Sequence, residues 1–203
     1  MGTHPGGSEV TPRDYAVLAQ QAYTTAPSIG NPDSAARAVI FSGGAVGFPG
    51  TNNLACWLAD LDAEAIDVPD MGRLHTGFWR AFQEIAGPLL ALEGVPVTLG
   101  HSEGAALALL YAAQLCLAGK PPAAVYAFEP PRVSADGTLA ALFKLHGVAL
   151  YLYRNGEDVV PLVPRITEDW QHPGELMAIG KASVPIPNVE DHFIDRVIAA
   201  FPV

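Results

Sequence analysis

The chain has 203 residues, 50% of them hydrophobic, and 11 Lys and Arg stand against 21 Asp and Glu for a net charge of −10. That balance leaves no basic surface to neutralise phosphates, so nucleic acid is not an expected partner and an anionic membrane surface is disfavoured. The length fills one core and not two, so a single domain over residues 1–203 is expected, with residues 1–10 flexible and a monomer as the default.

The opening residues carry neither the basic start nor the apolar run of a secretory signal. This points to a cytoplasmic or leaderless product, or a secreted one if a leader has been removed. Thr11-Pro12-Arg13-Asp14 then opens a helix, with a capping hydroxyl, a proline in the first turn and an acid near the positive end. Tyr15, Leu18, Ala19, Ala22 and Tyr23 recur on its buried face. "APSIGNPD" ends it, "RAVIFS" (37–42) reads as a strand, and glycine-rich "GGAVGFPGTNN" reads as a loop. "NLACWLADL" reads as a short helix and "EAIDV" as a strand. A long amphipathic helix over about 77–92 presents Phe78, Phe82, Ile85 and Leu89 on one face, and Pro88 bends or shortens it.

Next come strand "VPVTLG", helix "SEGAALALLYAAQLCLAG", strand "AAVYAF", helix "GTLAALFKL", strand "VALYLYRN" and the final helix "DHFIDRVIAAF". Alternating elements with continuous apolar strands predict an α/β fold: a mainly parallel sheet with helices on both faces. The apolar stretch 105–118 is interrupted by Gln114 and is shorter than the roughly 18 residues that suggest a membrane span. Cys56 and Cys116 sit in apolar segments without metal-ligand spacing. Two buried thiols are expected, a disulfide between them stays open, and neither metal nor cofactor is expected.

The pattern Gly100-His101-Ser102-Glu103-Gly104 falls where a strand turns into a helix. A serine there stands at the carboxyl edge of a parallel sheet, where open α/β sheets bind ligands. Glycines two residues to either side let strand and helix approach closely, and the helix start offers N–H groups to an oxyanion. Such a serine needs a base, and the base needs an orienting carboxylate. In α/β-hydrolases these follow in the order Ser, Asp or Glu, His. Asp158 lies past the strand "VALYLYR", with Glu157 as its neighbour, and His172 and His192 are the candidate bases. Order and loop position favour His192, at the start of the last helix, where a neutral ring is favoured. His101 should point away from Ser102.

From Val39 to the end, the chain resembles the class 3 lipases, α/β-hydrolases of the filamentous-fungal triacylglycerol-lipase type. "VIFSGG" is similar to the family's strand ending Phe-Arg-Gly-Thr/Ser, whose last residue helps build the oxyanion hole. "WLADL" is similar to Trp-x-x-Asp-Leu, "LHTGFWRAF" to a His-x-Gly-Phe helix start, and "YAFEPPRVS" to Phe-Gly-x-Pro-Arg-Val. "RNGEDVVPLVP" is similar to the segment carrying the triad aspartate, and "WQHPGE" to a His-x-Gly segment separate from the catalytic histidine.

The resemblance implies Ser102 as nucleophile, Asp158 as orienting acid, His192 as base, and the N–H groups of Gly44 and Glu103 as the oxyanion hole. Three departures accompany it. Gly44 stands where the family has Thr or Ser, Ser42 replaces an arginine, and Glu103 replaces a leucine and puts a carboxylate near the nucleophile. "AVGFPGTNN" occupies the slot of the family's helical flap, so a small lid or none is expected. Val46, Phe48, His101 and His172 are then candidates for an open substrate groove. The expected function is hydrolysis of acylglycerols or other lipid esters through an acyl-enzyme, with contact at a lipid–water interface left open. Phospholipids (as for a phospholipase A1) and feruloyl-type esters are alternatives within that chemistry. A non-catalytic lipid- or ligand-binding protein on the same fold is the alternative outside it.

Overall fold

A computed structural model describes residues 10–34, 36–51, 64–164, 169–186 and 188–202. The predicted helix "NLACWLADL", with Cys56, lies outside the described residues. Helix α1 (Pro12–Thr24) starts at a capping box in which the Asp14 N–H donates to the Thr11 hydroxyl and the Thr11 N–H donates to the Asp14 carboxylate. Its fully buried residues are Ala16, Ala19 and Ala22, and Tyr15 stacks on Tyr126 with ring centroids 4.0 Å apart. Small side chains let this helix lie close on the sheet while Tyr15 reaches Tyr126.

The sheet is built from β1 (Ile29–Gly30), β2 (Arg37–Ile40), β3 (Val46–Phe48), β6 (Val97–His101), β7 (Ala124–Phe128), β8 (Ala149–Asn155) and β9 (Leu176–Ile179), in that spatial order. β1, β2 and β3 pair antiparallel, and β3, β6, β7, β8 and β9 all pair parallel. β4 (Ala65–Val68) and β5 (Gly72–His75) make a separate hairpin. β3 corrects the sequence reading: Val46, Gly47 and Phe48 belong to a buried strand and not to a loop. Strand β9 was not read from the sequence either, being short and only half buried.

Along β7, Val125 and Ala127 enter the core on one face, while Ala124, Tyr126 and Phe128 enter the core on the other. This two-residue alternation fills both faces. Helices α2 (Thr76–Leu90), α3 (Glu103–Leu117) and α4 (Thr138–His146) cover the first face, and α1 with α5 (Ile194–Ala200) covers the second. α2 buries Phe78, Phe82, Ile85 and Leu89 as the periodicity predicts, and Pro88 lies in its last turn. α3 is buried almost all round, from Gly104 to Cys116 except Gln114. The Tyr111 hydroxyl in α3 donates to the Leu89 carbonyl at 2.7 Å, which satisfies a polar group inside the core. Cys116 is a buried free thiol. No described helix is long and apolar enough to cross a membrane.

The parallel strands all present their carboxyl ends at one edge of the sheet. β3 is followed there by Pro49-Gly50-Thr51, β6 by Ser102, β7 by Glu129 and β8 by the loop with Asp158.

Candidate active site

Ser102 joins β6 to α3 with φ +60 and ψ −130, a sparsely populated conformation for a non-glycine residue. Its N–H donates to the Phe128 carbonyl at 2.9 Å, which ties the turn to the neighbouring strand. A Cβ on Gly100 would lie 2.3 Å from the Gly104 carbonyl oxygen, and one on Gly104 would lie 2.1 Å from that of Phe48. Both positions therefore exclude side chains, and the strand–turn–helix is as tight as the Gly-x-Ser-x-Gly spacing predicts. Strain of this kind is held in place by its surroundings and gathers at functional sites.

Asp158 and His192 meet at the same edge, with His192 Nδ1 donating to Asp158 Oδ2 at 2.6 Å. Two backbone hydrogen bonds dock the two segments, the Val159 N–H donating to the Asn188 carbonyl and the Asn188 N–H to the Glu157 carbonyl, which together make a parallel bridge between Asp158 and Asn188. The buried Asp191 carboxylate accepts from the Glu157 and Ser183 N–H groups and from the Asn188 amide, which fixes the turn just before His192. Burial alone would raise the Asp158 carboxyl. The hydrogen bond and charge of His192, a hydrogen bond from Glu129 and the Val160 N–H outweigh it and hold the group below the usual carboxylate range. Ser102 Oγ and His192 Nε2 are both buried and lack hydrogen-bond partners among the described residues.

His101 turns away from the serine, as predicted, into a buried contact of its own. Its Nδ1 lies 2.7 Å from the Tyr23 hydroxyl and its Nε2 lies 2.7 Å from the His192 carbonyl oxygen, the two imidazole centroids being 4.6 Å apart. Burial and the neighbouring His192 push its pKa down to about 3, so it is neutral. It braces the backbone of His192 and does not line an open groove. Val46 and Phe48, also expected in a groove, are 0% exposed core residues of β3. His172 is half-buried, with Nε2 donating to the Pro161 carbonyl at 2.8 Å, and it is His192 that bonds Asp158.

The oxyanion assignment at Gly44 is corrected by strand direction. Because β2 and β3 are antiparallel, residues 42–44 form the turn between them, with the Gly44 N–H donating to the Phe41 carbonyl at 3.0 Å. A Cβ on Gly44 would meet Gly94 and Pro96, which precede β6, so Gly44 is at the amino edge, opposite Ser102. At the carboxyl edge β3 ends in Phe48-Pro49-Gly50-Thr51, which fits Phe-x-Gly-Thr with proline in place of the arginine. A Cβ on Gly50 would lie 2.8 Å from Ser102 Cβ, so this segment reaches Ser102. Glu103 is the first residue of α3, where the N–H has no intrahelical acceptor. Its side chain is half-buried, and burial pushes the carboxyl up to about 7 while the Arg37 guanidinium pulls the other way. At neutral pH it therefore carries only part of a charge.

The sequence reading missed Glu129. It is 0% exposed, has φ +50, and stands where Phe-Gly-x-Pro-Arg-Val has glycine. One oxygen of Glu129, one of Asp158 and a ring nitrogen of His192 lie within 4.8 Å of one another. His192 Nδ1 is already engaged by Asp158 and is not free to coordinate a metal. An acid at a left-handed glycine position was the one visible signal.

Comparison with known proteins follows this geometry. The family described as "Lipase (class 3)" matches residues 45–168, more than half of the chain. The propeptide complex of Rhizomucor miehei lipase superposes with a TM-score of 0.64 at 21% identity, over 81% of this chain and 66% of that one. Lip2 lipase from Yarrowia lipolytica superposes with a TM-score of 0.66 at 19% identity, over 83% and 77%. A mutant of MDLA from Penicillium cyclopium gives 0.62 at 19% identity, over 89% and 81%. These are likenesses of fold, and the chain spans 66% and 51% of the lengths of two Rhizomucor miehei structures. No curated protein sequence matches. With the matched segment running from β3 through the elbow serine to the aspartate loop, the chain belongs to the class 3 lipase family.

Proposed function

We propose that the protein is a serine carboxylic-ester hydrolase acting on lipid esters. The observation that carries this reading is the strained Ser102 elbow at the same sheet edge as a 2.6 Å His192–Asp158 pair. Ser102 Oγ attacks the ester carbonyl carbon while its proton passes to His192 Nε2. Asp158 stabilises the imidazolium through Nδ1–H. The tetrahedral oxyanion takes hydrogen bonds from the N–H of Glu103 and from Thr51. The C–O bond then breaks, and the alcohol leaves with the proton from His192. Water, deprotonated by His192, attacks the acyl-enzyme and releases the acid.

Ser102 is 1% exposed and His192 3%, so the site is closed, in contrast to the open groove expected from the sequence. The lipid preference is supported by the chain around the base: Val184, Ile186, Val189 and Phe193 are exposed large apolar residues on both sides of His192. The non-catalytic alternative draws on an oxyanion site weakened at Gly44 and Glu103, and the Glu103 carboxylate is still present at the start of α3. Thr51 at the end of β3 supplies a hydroxyl on the Ser102 edge, which weakens the first of these grounds and favours the hydrolase.

The test is hydrolysis of p-nitrophenyl esters from acetate to palmitate by the wild type and Ser102→Ala, with fluorophosphonate labelling of both. Labelling and turnover in the wild type, both absent in the variant, are expected. An unlabelled, inactive wild type would return the binding-protein reading to first place. The chain-length optimum, with phospholipid and feruloyl esters as further substrates, decides among the ester classes.

A further inference from the structure

Glu129 is a buried acid that the triad mechanism above does not use. Its Oε1 accepts from the Asn155 N–H at 2.5 Å, while Oε2 is buried and receives no hydrogen bond. The groups facing it are Asp158 and Arg154 from β8 and the loop after it, and His192 from the segment before α5. His101, from β6, acts on the same cluster through Asp158 and is neutral. Two buried carboxyls this close do not both ionise, so they share one proton. Asp158 is the one held ionised, since it accepts from both His192 Nδ1 and the Val160 N–H. The proton therefore belongs to Glu129, on the oxygen that receives no donor. Burial first, then the hydrogen bond to Asp158 and its charge, raises the Glu129 carboxyl well above the usual range, with the Asn155 N–H and then Arg154 opposing.

We propose that Glu129 is a positioning residue of the triad, fixed at Oε1 by the Asn155 N–H and donating from Oε2–H to Asp158, so that Asp158 keeps one orientation toward His192. The proposal rests on the hydrolase reading and adds a fourth member to its charge chain. It also accounts for a glutamate in the left-handed region, where glycine costs nothing and a side chain is retained only when its surroundings hold it. When Glu129 ionises at alkaline pH, a second buried negative charge faces Asp158, and the orientation is lost.

Glutamine reproduces both contacts, its carbonyl accepting from Asn155 and its NH2 donating to Asp158, but cannot ionise. Glycine removes the donor while suiting the backbone, so it keeps the fold. The experiment measures kcat and KM against pH on p-nitrophenyl butyrate for wild type, Glu129→Gly and Glu129→Gln, with Ser102→Ala alongside. The low-field proton resonance of His192 Nδ1–H is recorded for each. Glu129→Gly is expected to lower kcat about tenfold at neutral pH with KM little changed, the size of one lost hydrogen bond to a charged group, and to shift or broaden the resonance. Glu129→Gln is expected to rescue kcat and the resonance, and to remove an alkaline fall in kcat that the wild type shows. Wild-type kinetics and an unmoved resonance in Glu129→Gly would overturn the proposal, as would a folded but inactive Glu129→Gln. If Ser102→Ala keeps its activity, the hydrolase reading fails by itself. The His192 resonance then decides alone whether Glu129 orders the pair.

Discussion

Because the His192 carbonyl only accepts, Nε2 of His101 must carry that ring's proton, and a neutral ring then leaves Nδ1 as an acceptor. The Tyr23 hydroxyl must therefore donate to Nδ1, and its oxygen accepts from the Gly50 N–H. One chain of hydrogen bonds thus runs from the end of β3 through α1 and β6 to the backbone of His192, with every proton assigned. Burial holds the Tyr23 phenol protonated, as this role requires. Tyr23→Phe would leave the Gly50 N–H and His101 Nδ1 without partners. It should cost about 1–3 kcal/mol in urea unfolding, and kcat should fall more than KM changes because His192 loses its brace. Unchanged unfolding and kcat would show that the chain of bonds is incidental. At this scale the Ser102 turn and the Asp158–His192 contact were legible because motif spacing and chain order constrain them. Glu129 and Tyr23 were not, since their importance lies in neighbours more than twenty residues away in sequence.

Strand direction is an element-scale matter, and it puts Gly44 at the edge opposite Ser102. "VIFSGG" resembles the family's oxyanion strand while "GGAVGFPGTNN" reads as a loop, and only the antiparallel pairing of β2 with β3 sends the ends of the two strands to opposite edges. Thr51→Ala should lower kcat on the order of 10²-fold if its side chain helps hold the oxyanion. Gly44→Ala should keep kcat and lose only about 1 kcal/mol in unfolding, the cost of a side chain at φ +83. The reverse outcome would restore the sequence-based assignment. The helices were legible because each carries a cap, a periodic face or a glycine stop. β3 was hidden because three residues between glycine-rich turns show no alternation, and β9 because its side chains are half-exposed.

Over the molecule as a whole, charge and apolar surface bear on the same choice of substrate. A net charge of −10 repels anionic surfaces. Four of the exposed large apolar side chains nevertheless gather within residues 184–193, the segment that carries His192. That pairing suits a neutral lipid interface, where apolar contact does not have to overcome repulsion between like charges. On the proposed function, docking by this segment brings an ester beside His192. The triple variant Val184→Ser, Ile186→Ser, Phe193→Ser removes side chains that are 81%, 60% and 57% exposed, so the fold should be unaffected. Hydrolysis of emulsified long-chain acylglycerol should fall by roughly tenfold or more, since each buried apolar side chain contributes about 1.5–3 kcal/mol to partitioning. Hydrolysis of dissolved p-nitrophenyl acetate should stay within about twofold, surface changes of this kind leaving the triad intact. Sedimentation with phosphatidylcholine vesicles, compared with vesicles containing an anionic lipid, reads the same surface without turnover. Preference for the neutral vesicles, lost in the triple variant, is the expected result. Equal loss on both substrates would mean that the segment supports His192 and not the interface.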